Sequence, residues 1–235
     1  MLKTFVIVIS NLASKNRHKK LPEHKDFILY YFVGVENLEY DYEVNEEEQT
    51  VYLRVADNYE SLTDKVSKAM TFVDENFSNE VDGVFKTDDD IEINLSKLTR
   101  CIENNKIHKY FGLVNDVDEH MSDYHNGKCQ SQELNESKSI VPKCKYCSGG
   151  GYYVSIELIK KIKNCTSNSI FEDVNFGKAL NDLKVFPKHI PIKGHGAFWS
   201  VPVPLRKRAM FPYCECGAII TAGVNYCHFC DRRYY

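Results

Sequence analysis

The 235 residues suffice for one large domain, or for one domain with a small appendage. A hydrophobic fraction of 43% and a charged fraction of 27% exclude wholesale disorder, and a formal net charge of -3 argues against a nucleic-acid binder held mainly by charge. The 9 cysteines are odd in number, and without an export signal the crowding of four into the last 22 residues favours metal over disulfides.

The apolar run Phe5–Ser10 is β-branched and continuous, which predicts a buried, parallel strand. A basic stretch from Lys15 to Lys20 follows, and Phe27–Val33 predicts a second strand closed by Gly34. The acidic stretch from Glu36 to Gln49 reads as an exposed connector, and Val51–Val55 as a short strand. From Ser61 to Val73, apolar residues at 62, 66, 69, 70 and 73 share one helical face, with Asp57 or Ser61 as the N-cap. Val81–Phe85 predicts a strand that runs directly into Asp88-Asp89-Asp90. An acidic cluster at a strand's C-terminal end sits where open α/β sheets bind ligands. A short helix within 91–105, a strand at Tyr110–Val114 and a polar loop over 115–139 come next. Gly149-Gly150-Gly151 leads into a helix from Ser155 to about Lys163, and a second helix starts near Phe171 and ends near Leu183. The run from Met1 to Ile9 is too short to span a bilayer, and no other segment approaches about twenty apolar residues, so the chain is expected to be soluble and cytoplasmic.

Four features carry chemistry. Three adjacent carboxylates repel one another unless a cation relieves them, and hard oxygen ligands suit Mg2+ or Mn2+ completed by substrate phosphates; the alternative is an acidic turn that caps a strand or helix. The glycine triplet lets backbone approach a ligand closely, or is a flexible turn. It forms neither a P-loop nor a dinucleotide fingerprint. Glu172 and Asp173 at a helix start are dipole partners or caps, or one of them is a general base. His195, between Gly194 and Gly196, is a candidate metal ligand or a structural histidine.

The order of these motifs is more specific than any one of them. Lys86-Thr-Asp-Asp-Asp-Ile-Glu-Ile-Asn94, Tyr146-Cys-Ser-Gly-Gly-Gly-Tyr-Tyr-Val-Ser155, Glu172-Asp-Val-Asn-Phe-Gly177 and His195 resemble, in sequence order, the β-1,3-galactosyltransferase and Fringe-like glycosyltransferases. The stretch Asp57-Asn-Tyr-Glu-Ser-Leu-Thr-Asp-Lys65 is similar to that family's D-x-Y-x-N-L-T-x-K segment. The resemblance covers roughly residues 1 to 200. It implies a GT-A, Rossmann-like α/β fold, a UDP-sugar donor, a glycan or protein acceptor and an inverting mechanism. Carried onto this chain, it makes Asp90 and His195 the Mn2+ or Mg2+ ligands and Asp173 the general base. Asp88 and Asp89 would support the metal and the donor's ribose and sugar, with Glu172 and the glycines also on the donor side. Two departures stand out. The family's membrane anchor is not seen, and its Arg-rich segment after the first strand is reduced to Asn16-Arg17-His18-Lys19-Lys20. An anchorless chain rich in Asn, Lys and Tyr suits a virus or a cytoplasmic pathway.

At the C-terminus, Cys214-Glu-Cys216 and Cys227-His-Phe-Cys230 form two thiolate knuckles around a hairpin-sized loop, the pattern of a tetrahedral structural Zn2+ site. The alternatives are free or redox-active thiols, with His228 as a substitute ligand for Cys214. The expected organisation is a transferase domain over 1–205 and a zinc-ribbon-like tail over 206–235. Cys144 and Cys147 form a further CxxC pair, read as reduced thiols or a second metal or redox site. Two other functions compete: a degenerate GT-A domain serving as a scaffold, with the ribbon recognising protein or nucleic acid, and a metal-dependent hydrolase of nucleotide sugars.

Overall fold

A computed structural model describes residues 2–162, 169–190 and 199–200. In chain order the elements are β1 (Lys3–Ile9), β2 (Phe27–Gly34), β3 (Tyr42–Asn45), β4 (Thr50–Leu53), α1 (Leu62–Phe77), β5 (Val81–Asp88), β6 (Glu92–Ile93), α2 (Leu95–Asn105), β7 (Tyr110–Val117), β8 (His120–Ser122), α3 (Gln132–Asn135), β9 (Ser139–Val141), β10 (Cys144–Ser155), α4 (Ile156–Ile162), α5 (Glu172–Asp182), β11 (Lys188–His189) and β12 (Trp199–Ser200). Eight of the strands form one sheet in the order β11-β7-β10-β5-β1-β2-β4-β3.

The β-branched run of β1 lies at the centre of its parallel half, with β2 on one side and β5 on the other. Every residue of β1 from Thr4 to Ile9 is buried, as the uninterrupted apolar pattern predicts for a strand covered on both faces. The α1 face carrying Val66, Ala69, Met70 and Val73 packs on one side of the sheet together with α4 and α5. Leu98 and Ile102 of α2 cover the other side. The result is a mixed sheet between helical layers, an α/β architecture that fits a GT-A-like domain.

The predicted elements change in four places. The acidic connector contains β3, which pairs antiparallel with β4 as an edge strand. Ser61 is the N-cap of α1 but makes no side-chain capping bond. Asp57 is no cap either: its carboxylate accepts from Lys65 Nζ at 2.5 Å and from the Leu12 amide at 2.6 Å. Lys65 Nζ also donates to the Ser10 carbonyl at 3.0 Å. The Asp57…Lys65 spacing of the family-like segment is thus a largely buried clamp that ties α1 to the C-terminal end of β1. The polar stretch read as loop holds the β8–β9 hairpin and α3. Finally, the glycine triplet is not a turn before a helix but part of β10, which runs antiparallel between β5 and β7.

That extended strand also separates the CxxC pair. Positions three apart on a strand face opposite sides. Cys144 packs with Phe171 and Val174, whereas Cys147 lies in the main core. Burial raises the two thiols to about 11 and about 12, so they are neutral core groups. His195, the four tail cysteines and the proposed boundary at 205/206 lie outside the described residues. Among the described residues, no helix is long and apolar enough to cross a membrane.

Candidate active site

The C-terminal end of β5 delivers the aspartate triplet, and hydrogen bonds to β10 bring the glycines beside it. Lys86 is almost fully buried, at 1% exposure. Its Nζ donates to Asp88 Oδ1 at 2.7 Å and to the Gly149 carbonyl at 2.7 Å, and lies 3.4 Å from Glu172 Oε2. Burial alone would discharge this lysine; Asp88, Glu172 and Asp173 outweigh it and hold the pKa above the ordinary lysine range. Thr87 Oγ1 donates to the Gly150 carbonyl at 3.0 Å, and Tyr152 Oη donates to Glu172 Oε1 at 2.6 Å. Glu172 is therefore held between Lys86 and Tyr152 beneath the site.

Asp173 stands one residue further along α5. The Gly149 amide donates to its Oδ2 at 3.0 Å, and the Val174 amide donates to its Oδ1 at 2.9 Å. Burial, then repulsion from Glu172, push the carboxyl up to about 7, against the Gly149 amide, Lys86 and the Val174 amide. A base poised near neutral pH is what proton abstraction from a hydroxyl asks for. A Cβ on Gly149 would lie 3.4 to 3.6 Å from Glu172, Lys86 and Asp173, so a methyl there would sit on the charged cluster. Gly177 has a different role: a Cβ would come 2.2 Å from Tyr146 Cβ, so only glycine lets α5 approach β10 closely enough to set Asp173 in place.

Asp88, Gly149, Gly150, Glu172 and Asp173 line one cleft of about 720 Å3, shared with Tyr59, Tyr124, Lys128, Tyr146, Ser148 and Phe171. Gly151 pairs with Thr87 inside the sheet. Asp89 turns toward β1, where the Ser10 hydroxyl donates to its Oδ2 at 2.7 Å. Ser10 Oγ is also 2.7 Å from His18 Nε2, and the His18 ring stacks on Tyr31 at 3.9 Å. The reduced basic segment thus reaches the triplet through one hydroxyl. Asp90 stands on the exposed turn after β5. Its carboxylate is a hard oxygen donor at the strand edge where ligands dock. That chemistry fits a divalent cation completed by phosphate oxygens. Among the described residues, no group of three or more His, Cys, Asp or Glu is assembled to hold a metal.

Lys86, Tyr152 and Lys128 were not among the candidates from sequence. A lysine inside a strand reads as solvent-facing until its three carboxylate neighbours are seen, and Lys128 sits in the stretch read as loop. The only sequence cue to Lys86 was its place at the head of the Asp motif.

The family model described as "Galactosyltransferase" matches residues 14–191. The chain belongs to the galactosyltransferase family. UDP-GalNAc:beta-1,3-N-acetylgalactosaminyltransferase 1 of Mus musculus is 34% identical over 141 residues, covering 57% of this chain and 41% of the mouse protein. The Rattus norvegicus protein of the same name is 35% identical and the human one 33% identical, each over 142 residues and with the same coverage. The chain spans about two-fifths of the length of these curated relatives in the match. This member of a glycosyltransferase family carries Asp88, Glu172 and Asp173 on one cleft.

Proposed function

We propose that this chain is an inverting, metal-dependent hexosyltransferase that moves a galactose or N-acetylhexosamine unit from a UDP-sugar to an acceptor hydroxyl. The observation that supports it most is Asp173: a partly buried carboxylate on the cleft, oriented by two backbone amides and poised near neutrality. The relatives' own printed donor, UDP-GalNAc, supports a UDP-linked N-acetylhexosamine.

In this reading the acceptor hydroxyl lies against Asp173, which takes its proton as the oxygen attacks the anomeric carbon. The Gly149 and Val174 amides each engage one carboxylate oxygen and fix the direction in which the remaining lone pairs point. Displacement from the face opposite the leaving diphosphate inverts the anomeric centre and requires no covalent enzyme nucleophile. Lys86 keeps Asp88 and Gly149 in a fixed relation, so the donor side and the base side of the cleft are joined through one buried cation. Asp90, with His195, would hold Mn2+ or Mg2+, which supplies Lewis-acid neutralisation of charge on the departing diphosphate.

Asp173→Asn tests the assignment. It is expected to lower kcat by about 10²–10⁴-fold while leaving the thermal shift induced by UDP with Mn2+ unchanged. Loss of both would make Asp173 a structural residue. UDP-sugar turnover undiminished without any acceptor would favour the hydrolase reading instead.

A further inference from the structure

The cleft around Asp173 is floored by carboxylates, and among the described residues two lysines line it. Lys86 is fully committed to Asp88, Gly149 and Glu172. Among the described residues, Lys128 is not committed to any carboxylate. Its Nζ lies 3.2 Å from the centre of the Tyr124 ring and 5.6 Å from that of Tyr59, and among the described residues no acidic group reaches it at salt-bridge distance. Burial lowers its pKa to about 8, with Cys129 and Asp173 acting in the opposite direction. Aromatic faces attract an ammonium but do not neutralise it.

The position is built rather than incidental. The Lys128 amide donates to the His125 carbonyl at 3.0 Å, and Asn135 Oδ1 accepts from the Gly127 amide at 2.8 Å and the Cys129 amide at 3.0 Å, one on each side of Lys128. His125 is buried against Phe171, the residue that precedes α5, with ring centres 5.6 Å apart. The Ser131 amide donates to Glu60 at 2.8 Å and pins the same lobe to the segment before α1. Lys128 is thereby fixed beside the end of α5 that carries Asp173, whereas Asp88 is served by Lys86. An exposed ammonium at the mouth of an acidic cleft, with no carboxylate at salt-bridge distance among the described residues, is matched by an anionic ligand on the base side.

We propose that Lys128 is an acceptor-specificity residue, receiving the carboxylate or phosphate of an acidic sugar whose hydroxyl faces Asp173. This rests on the transferase reading above. It narrows the acceptor from any glycan hydroxyl to one carried by an acidic sugar, with Tyr59 and Tyr124 holding the ammonium in place before the ligand arrives.

The test measures binding without turnover. The full chain, with UDP and Mn2+ present, is titrated by NMR with methyl β-galactoside, methyl β-galacturonate and methyl β-galactoside 6-phosphate. The matched glucoside and glucuronide are run in parallel. At least one acidic probe should bind about tenfold more tightly than its neutral counterpart, and the carboxylate and phosphate arms identify which acid is preferred. Lys128→Met should remove that preference, leave neutral probes within about twofold, and leave UDP binding unchanged, whereas Lys128→Arg should retain the preference. Neutral probes binding as tightly as acidic ones would overturn the proposal. So would a Lys128→Met loss shared equally by all probes, or one that appears in UDP binding. Acidic-sugar binding without any sugar transfer would sink the transferase reading while the subsite stood; transfer to neutral acceptors alone would do the reverse.

Discussion

The two sides of the cleft are constructed on opposite plans. On the donor side, Lys86 and Gly149 are 63 positions apart in the chain and meet through a buried ion network laid across two central strands. On the other side, the lobe between β8 and β9 is held mostly by bonds of short range, with the Ser131 amide to Glu60 as a long-range tie. Asn135 grips Cys129 and Gly127 at separations of 6 and 8, and His125 Nε2 lies 2.9 Å from the Leu134 carbonyl, 9 positions on. The strand side cannot shift without breaking the sheet. The lobe is a locally folded insert whose residues can change while the sheet stays intact.

The largest effect should come from breaking the strand side. Lys86→Met leaves Asp88 and Glu172 without their shared cation and is expected to cost about 3–5 kcal/mol in urea unfolding. A cost below about 1 kcal/mol would mean that hydrogen bonds of the strands alone hold the donor side. Next is Gly177→Ala, which drives a methyl into Tyr146 and should cost about 1–3 kcal/mol, with kcat falling as α5 is pushed away from β10. Equal stability and activity in this variant would show that α5 is free to slide.

The third effect is with pH, and its sign is fixed by Asp173. Its folded pKa, about 7, is above the ordinary carboxylate value, so the folded state binds this proton more tightly than the unfolded chain. The associated stability is fully present below about pH 4 and is lost as pH rises through about 7. Melting curves of the metal-free protein between pH 5 and 8 should show a downward drift relative to Asp173→Asn. Activity runs the other way, because the base works only when ionised: kcat/KM should rise between pH 6 and 7.5 by less than about tenfold. A flat profile across that window would separate catalysis from Asp173 ionisation.

The same division decided what was legible in the sequence. The buried strands, the α1 face and the order Asp88-Asp89-Asp90, Glu172-Asp173 could be read because unbroken β-branched runs and helical spacing report burial directly. Of the two readings of the glycine triplet, the turn fails, because a flexible turn and an extended strand share its composition. What keeps it extended is pairing with Thr87 and Lys86, far away in sequence. The lobe was read as loop because its cohesion comes from the Asn135 amide and backbone carbonyls, not from an apolar pattern. The Gly at 177 was legible as part of a motif, but its reason, the closeness of Tyr146, belongs to packing alone.

The antiparallel insertion of β10 between β5 and β7 has a consequence for synthesis on the ribosome. The parallel half, β1, β2, β4 and β5, and the strand β7 all emerge before β10 exists. Until it arrives, the inner edges of β5 and β7 are open rows of amides and carbonyls, able to pair with one another or with a second chain. The strand that closes this gap is also the one that brings Gly149 to Lys86. A nascent chain therefore acquires protection from edge pairing and the strand wall of its cleft in one long-range step, and α5 then adds Asp173.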